Sequence, residues 1–265
     1  MTRIFATANQ KGGVGKTTTT MHLAGAASRQ GMHTLIIDAD PQGNMTSALA
    51  PQVTDEHAGL ADVLSSNAPD FQSMADAAVT SQWERVDLVP TAGVALAAVQ
   101  KELATRPLGG NHVMREALAP VRGQYDLILI DCPPSLDALS VNAFTAADSL
   151  VLVTDAGKFG GEGILQLVNT MRDVRRYCDR ADLTIAGAIF NGYNPHQNEQ
   201  RSWYREISAV LEKMEIPEIF PPIPRRITLQ ACTGSGTRLD LSKDSRAAEL
   251  VKVFDRHLDT LLAAR

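Results

Sequence analysis

Six short apolar segments alternate with helical stretches along this 265-residue chain. The segments are Ile4–Ala8, Thr34–Asp38, Val86–Pro90, Leu127–Asp131, Leu150–Thr154 and Ile185–Phe190. The fourth and fifth are almost continuously apolar, which is typical of strands buried on both faces. The pattern predicts an α/β fold with a largely parallel, twisted sheet flanked by helices on both faces.

The stretches between these segments predict the helices. They are expected at residues 16–30, 95–104, 111–120, 136–147, 161–178, 198–214 and 244–264. The first is rich in alanine and should end at Gly31. Residues 51–84 are more polar and less periodic, which indicates an insertion of short helices over one edge of the sheet. Since no repeat or linker interrupts the chain, we expect one domain over residues 1–265.

A glycine-rich segment follows the first predicted strand. Its candidate nucleotide-binding residues are Lys11, Gly12, Gly13, Val14, Gly15, Lys16, Thr17 and Thr18. A strand, a glycine-rich turn and a helix form a phosphate-binding loop, whose backbone N–H groups hold phosphates. Lys16 would contact the β- and γ-phosphates, and Thr17 would offer a hydroxyl to Mg²⁺. An ordinary turn is the alternative, but two lysines and two threonines in register with the glycines favour a nucleotide site.

Three aspartates stand at the ends of predicted strands. Asp38 ends one strand and Asp40 follows it, and Asp131 ends another. In open parallel sheets, ligands bind beyond the carboxyl ends of the strands, where the glycine-rich loop also lies. Such an aspartate can hold Mg²⁺ directly or through water, or position the water that attacks the γ-phosphate. One strand-end aspartate is often only a helix cap, but three beside the loop predict a site for a nucleotide and Mg²⁺.

Composition is that of an ordinary enzyme. Apolar residues make up 44% of the chain and charged residues 21%. No apolar run approaches the ~18 residues of a membrane span, and no secretory signal pattern is present. The cysteines, Cys132, Cys178 and Cys232, are few and widely spaced, which predicts reduced thiols and no zinc site. We therefore expect a cytoplasmic protein without a membrane partner.

The net charge of −5 is distributed unevenly. Residues 1–170 contain 10 Lys and Arg against 17 Asp and Glu, whereas residues 171–265 contain 15 against 13. The basic residues of the second part either form a patch for an acidic partner or lie on solvated helix faces. Composition alone favours the solvated faces.

Three motifs resemble those of the ParA/Soj partition ATPases, within the ParA/MinD superfamily. They are Lys11–Thr18, Ile37–Asn44 and Ile130–Ser135. The loop lacks the standard first glycine, since Gln10 stands there, and it carries the early lysine of deviant Walker A P-loop NTPases. The resemblance extends along nearly the whole chain, through Gly59–Leu64 and Ile223–Ala231.

This resemblance implies a Mg²⁺-dependent ATPase that forms an ATP-sandwich homodimer. Lys11 would reach the nucleotide of the partner subunit and neutralise charge in the transition state, as an arginine finger does. Gly12 would allow close backbone approach at the interface. Asp40 would orient the hydrolytic water with support from Asp38, and Asp131 would stand behind Mg²⁺.

The resemblance also implies adenine-binding and DNA-binding residues. Asn191, Pro222 and Pro224 would face the adenine, although an Asn-Gly turn also accounts for Asn191. The DNA candidates, which would contact phosphates without sequence preference, are Arg225 and Arg226 first, then Arg201 and Arg205. A solvated helix face is the favoured alternative for the last two.

The implied function is DNA partition. ATP dimers would bind nucleoid DNA, a ParB-like partner would stimulate hydrolysis and release, and a plasmid or chromosome would move. A MinD-like membrane switch is one alternative, but it needs a basic amphipathic C-terminal helix, and the last turns contain Asp255 and Asp259. Another alternative is a metabolic or metal-handling member, or one that positions a protein cargo.

The chain also departs from parts of the family pattern. Because it begins at its first strand, we expect no N-terminal helix-turn-helix extension. Residues 190–195 differ from the basic-ended version that is common in chromosomal Soj proteins. Cys132 is similar to a cysteine of the iron–sulfur relatives, but no second cysteine matches, which favours a packed thiol.

Overall fold

A seven-stranded sheet organises the computed structural model, which describes residues 2–65, 73–106 and 109–264. The strands are β1 Arg3–Ala8, β2 Thr34–Asp38, β3 Val79–Thr80, β4 Val86–Val89, β5 Leu127–Asp131, β6 Ser149–Thr154 and β7 Thr184–Phe190. Their spatial order is β3-β4-β2-β5-β1-β6-β7, and every pairing is parallel except that of β3 with β4. The largely parallel sheet predicted from the sequence is confirmed.

Helices cover both faces of this sheet. They are α1 Lys16–Arg29, α2 Asn44–Leu49, α3 Leu60–Leu64, α4 Met74–Ala77, α5 Ala95–Thr105, α6 Val113–Leu118, α7 Ala138–Ala146, α8 Gly160–Tyr177, α9 Asn198–Lys213, α10 Ile227–Ser235 and α11 Ala247–Ala263. Helices α1, α2, α10 and α11 pack on one face, and α3 to α9 on the other. Alternate residues of each central strand enter opposite cores, which explains the continuous apolar runs.

Helix α11 closes the first face through large apolar side chains. Phe254, Leu258 and Leu261 are fully buried, and the helix packs mainly against α1. A side chain of this size contributes about 1.5–3 kcal/mol when it is fully buried. The α11 core therefore fixes α1, the helix that begins at the glycine-rich loop.

Several short elements among the described residues were not predicted. Strand β3 has only two residues, too few for a period-2 pattern. Helices α2 and α10 are short and rich in small or polar residues, so their sequences lack an apolar stripe. The predicted insertion at 51–84 supplies α3, α4 and β3, and its residues 66–72 lie outside the described residues.

The parallel register brings the strand-end aspartates together. Asp38 of β2 pairs in register with Asp131 of β5, and Thr7 of β1 pairs with the same residue. The loop after β1 lies at this edge too, because Ala8 pairs with Leu152 near the end of β6. The carboxyl edge of the sheet therefore carries every element of the predicted site.

Two buried histidines should make stability depend on pH. His257 Nε2 lies 2.7 Å from the Pro221 carbonyl, and His22 Nε2 lies 3.0 Å from Thr233 Oγ1. Burial lowers the pKa of His257 to about 4 and that of His22 to about 3. Both stay neutral in the folded chain and protonate near pH 6.5 when unfolded, so the contribution of these two histidines to the free energy of unfolding should fall as pH falls below 6.5. The expected loss is about 1.4 kcal/mol per pH unit for each histidine, down to its folded pKa.

Urea unfolding of the wild type and His257→Gln between pH 7.5 and 5 checks this prediction. As pH falls below 6.5, the variant should lose about 1.4 kcal/mol per pH unit less than the wild type, because glutamine keeps an N–H donor but does not titrate. His196→Gln is the matched control, since His196 is exposed and should leave the slope unchanged. Equal slopes for the wild type and His257→Gln would refute the assignment.

Candidate nucleotide site

The glycine-rich loop joins β1 to α1 through residues that need unusual backbone angles. Gly13 and Gly15 have φ of 74° and 93°, in the left-handed region that favours glycine. A Cβ atom on Gly15 would lie 1.9 Å from Asn191 Nδ2, so any side chain there would collide with Asn191. The loop therefore turns tightly and leaves the N-terminus of α1 open toward a cavity.

That cavity has a volume of about 600 Å³, the size of a small-molecule or cofactor site. We call it the nucleotide cavity. Its walls come from the loop, from the segment after β2, from Pro134 and from α10. The lining residues are Gly12, Gly13, Gly15, Lys16, Thr17, Thr18, Asp40, Gln42, Asn44, Ser47, Ala48, Pro134, Gln230, Thr233 and Gly234.

Lys16 is the charged residue of the loop that faces this cavity. Its side chain is largely buried, and Nζ donates a hydrogen bond to the Lys11 carbonyl at 3.4 Å. Burial lowers the pKa of the ammonium, and the carboxylates of Asp131 and Asp40 oppose that shift. A desolvated ammonium at the N-terminus of α1 is suited to binding the phosphates of a nucleotide.

Asp38 and Asp131 are fully buried beneath the loop. Asp38 Oδ2 accepts hydrogen bonds from Thr46 N–H at 2.8 Å and Thr46 Oγ1 at 2.7 Å. Asp131 Oδ1 accepts long ones from Thr20 Oγ1 at 3.4 Å and Thr7 Oγ1 at 3.5 Å. Burial, together with the charge of Asp38, raises the pKa of Asp131 to about 8, and burial raises the pKa of Asp38 to about 6. Both shifts arise mainly from burial, and the nearby Lys16 ammonium opposes the shift at Asp131.

The same carboxylates fit a magnesium ion. Oδ1 of Asp38 and Oδ2 of Asp131 are buried oxygens without a hydrogen-bond partner, and such oxygens are the ligands that Mg²⁺ prefers. Within the described part of the chain, no group of three or more His, Cys, Asp or Glu could hold a metal alone. An ion here would therefore need ligands from the Thr17 hydroxyl, the Asp131 carboxylate and the phosphates of a nucleotide, a combination that is common for Mg²⁺.

Asp40 lies on the wall of the nucleotide cavity. It is 8% exposed, its Oδ1 accepts a hydrogen bond from Gln42 N–H at 3.0 Å, and its carbonyl accepts one from Gly43 N–H. These bonds fold the Asp40–Gly43 turn and hold the carboxylate at the cavity.

The Lys11 side chain pairs with an aspartate that lies outside the nucleotide cavity. Its Nζ lies 2.6 and 2.9 Å from the two carboxylate oxygens of Asp155, directly after β6. Asp155 lines a second cavity of about 410 Å³, together with Val14 and Asn191. Sequence analysis missed Asp155, although the residue follows an apolar strand as Asp38 and Asp131 do, and that position was the available signal.

Among the predicted adenine-binding residues, Asn191 contacts the glycine-rich loop. Asn191 Nδ2 donates a hydrogen bond to the Val14 carbonyl at 2.8 Å, and Asn191 lines the second cavity. Pro222 and Pro224 lie between β7 and α10, where Pro224 forms a bridge with Tyr193. Sequence analysis missed three α10 residues that line the nucleotide cavity, namely Gln230, Thr233 and Gly234.

The four candidate arginines differ in their surroundings. Arg225 is exposed and lines the second cavity, whereas Arg226 is half-buried with Nη2 3.2 Å from Glu249 Oε2. Arg201 and Arg205 are exposed on α9, and Arg201 hydrogen-bonds Asn198. Arg226 is thus the candidate whose charge is already paired with a carboxylate.

Two further sequence expectations concern Cys132 and the membrane. Cys132 is a buried free thiol whose pKa is raised by burial and by Asp131, as expected of a packed thiol. In the ranges that the structure describes, none of the helices has the length and apolarity that crossing a membrane requires.

Comparison with known proteins identifies the family. Residues 2–185 match the family described as AAA domain. The chain is 34% identical to the sporulation initiation inhibitor protein Soj of Bacillus subtilis over 252 residues, which cover 94% of this chain and 95% of Soj. It is 38% identical to the chromosome partitioning protein ParA of Caulobacter vibrioides over 209 residues, which cover 78% and 76% of the two chains.

Solved structures agree with the sequence relatives. A cobyrinic acid a,c-diamide synthase from Mycobacterium smegmatis, with a bound ATP analogue and magnesium, superposes with a TM-score of 0.77 at 30% identity, covering 98% and 96% of the chains. The septum site-determining protein MinD from Pyrococcus horikoshii, complexed with Mg-ADP, gives 0.73 at 26%, covering 99% and 98%. The chain therefore belongs to the ParA/Soj family of P-loop ATPases, within the ParA/MinD superfamily.

Proposed function

We propose that this ATPase is a DNA-partition switch, in which ATP closes a homodimer onto DNA and hydrolysis releases it. A ParB-like protein would stimulate hydrolysis, and a plasmid or chromosome would be the cargo. The observation that carries the proposal is the similarity to Soj and to a chromosome partitioning ParA along most of the chain. The switch would work in the cytoplasm, on the nucleoid when ATP is bound.

ATP and Mg²⁺ are the cofactors that the site fits. Lys16 and the loop N–H groups would bind the phosphates, and Thr17 and Asp131 would hold the ion. When bound, Mg²⁺ supplies positive charge to the phosphate oxygens. Asp40 is held in place by its turn. Its carboxylate would accept a hydrogen bond from the attacking water and so orient that water.

The glycine at position 12 is one argument for the proposed homodimer. A Cβ atom there would lie 3.7 Å from Pro134 Cβ, an ordinary van der Waals distance, and Gly12 is not among the glycines with positive φ. The fold of one chain therefore does not explain glycine at this position. Close approach of a second subunit over the nucleotide cavity would explain it, because a larger side chain would hold the subunits apart.

The exposure of Arg225 is one argument for the proposed DNA contact. It is exposed beside the segment that leads to α10, on the rim of the second cavity next to the phosphate loop. A guanidinium in this place can contact a DNA phosphate, which requires charge and reach but no base recognition. Arg226 would contribute less, since it is already paired with Glu249.

Binding of a random-sequence duplex in the presence of ATP and Mg²⁺ tests this contact. Arg225→Ala should weaken binding by roughly 3- to 30-fold and reduce the slope of log affinity against log salt by about one per subunit. Arg115→Ala is the matched control, because Arg115 is exposed on α6 and is not among the residues that line either cavity, so its removal should change neither quantity. Equal effects of the two substitutions would contradict the proposed interface.

A further inference from the structure

Lys11 and Asp155 form an ion pair within one chain. The ammonium contacts both carboxylate oxygens, and the two side chains are 32% and 36% exposed. Lys11 follows β1 and Asp155 follows β6, which are neighbouring parallel strands. The pair therefore bridges the carboxyl ends of two strands at the rim of the second cavity.

Asn9 fixes the backbone at the lysine end of this pair. Its side chain is 1% exposed, its Oδ1 accepts a hydrogen bond from Lys11 N–H at 2.9 Å, and its Nδ2 donates one to the Val153 carbonyl at 2.7 Å. A Cβ atom on Gly163 of α8 would come within 2.6 Å of Asn9 Oδ1, so α8 packs closely over the same side chain. Lys11 and Asp155 are thus held within reach of each other before any ligand binds.

The ion pair neutralises the Lys11 ammonium, which is the positive charge that the proposed dimer needs at the nucleotide. An ammonium that is already neutralised by a carboxylate stabilises a phosphate less than a free one does. In this chain Lys16 lines the nucleotide cavity, whereas the Lys11 ammonium is held by Asp155 at the second cavity. Lys11 must leave Asp155 before it can reach a nucleotide in another subunit.

We infer that Asp155 is a positioning residue that holds Lys11 in the monomer and restrains closure of the ATP dimer. The inference rests on the proposed homodimer. A partly exposed ion pair is weak, but a symmetric dimer must break two of them. Removing both restraints should tighten the dimer by roughly three- to tenfold.

Light scattering over a range of protein concentrations, with Mg²⁺ and a non-hydrolysable ATP analogue, tests the restraint. Asp155→Asn keeps the size of the side chain and removes its charge, and the variant should dimerise at roughly three- to tenfold lower concentration than the wild type. Glu199→Gln is the matched control, since Glu199 is an exposed acid that lines the same cavity. A Glu199→Gln dimer as tight as that of Asp155→Asn would assign the effect to general charge, and an unchanged or weaker Asp155→Asn dimer would overturn the inference.

Labelling of Lys11 by an amine-reactive reagent, read by mass spectrometry without nucleotide, separates this inference from the proposed function. Lys11 should react several-fold faster in Asp155→Asn and Asp155→Ala than in the wild type, because its ammonium is freed. Equal labelling would overturn the ion pair itself. If labelling rises while the wild type never dimerises with the ATP analogue, the proposed homodimer fails, and the restraint on closure fails with it.

Discussion

Lys16→Ala is expected to abolish nucleotide binding. The side chain is the buried cation of the nucleotide cavity, at the N-terminus of α1, and charge-assisted contacts to phosphate are among the strongest hydrogen bonds in proteins. Loss of two or three such contacts corresponds to a fall in affinity of about 100-fold or more. Titration calorimetry with ATP and Mg²⁺ measures this directly.

Lys11→Ala is the matched lysine control for that experiment. Because the Lys11 ammonium is paired with Asp155, the variant should bind ATP in the monomer about as well as the wild type. Affinity of Lys16→Ala close to that of the wild type would refute the phosphate-binding role. An equal loss in both variants would mean that the loop had collapsed, and would remove the distinction between the two lysines.

Asp40→Ala is expected to retain ATP and the dimer but to lose hydrolysis. The carboxylate is fixed on the cavity wall by its own turn, and a residue that orients the attacking water acts on the transition state more than on the bound substrate. Loss of a positioned water-orienting group typically lowers the rate by about 10²–10⁴-fold. Phosphate release at saturating ATP, with light scattering for the dimer, separates the two effects.

Asp55→Ala provides a control for Asp40→Ala. Asp55 is an exposed acid in the loop after α2 and is not among the residues that line the nucleotide cavity. Its removal should therefore leave the hydrolysis rate unchanged. If Asp40→Ala hydrolyses ATP at a rate close to that of the wild type, another group orients the water and the assignment is wrong.

Much of this site could be predicted from the sequence because it follows from strand ends. Asp38 and Asp131 stand after continuously apolar segments, and a parallel sheet brings such positions to one edge whatever the order of its strands. The glycines at positions 13 and 15 could be placed in a tight loop because few other residues tolerate their backbone angles.

The remaining features depend on tertiary packing that leaves no local pattern. Helix α10, with Gln230 and Thr233, lines the nucleotide cavity, yet its sequence lacks the apolar period of a half-buried helix. The pairing of Lys11 with Asp155 joins residues 144 positions apart, and only the neighbouring placement of β1 and β6 brings them together. Asn191 had two interpretations from its sequence, and the structure adds a third, a hydrogen bond to the phosphate loop.

DNA binding measured in each nucleotide state tests the central proposal most directly. A random-sequence duplex should bind with ATP and Mg²⁺, bind weakly with ADP or without nucleotide, and fail to bind Lys16→Ala under any of these conditions. Binding should also weaken steeply with salt, since phosphate contacts release counterions. Equal binding in all nucleotide states, or no binding in any, would contradict a DNA switch and leave an ATPase that acts on another partner.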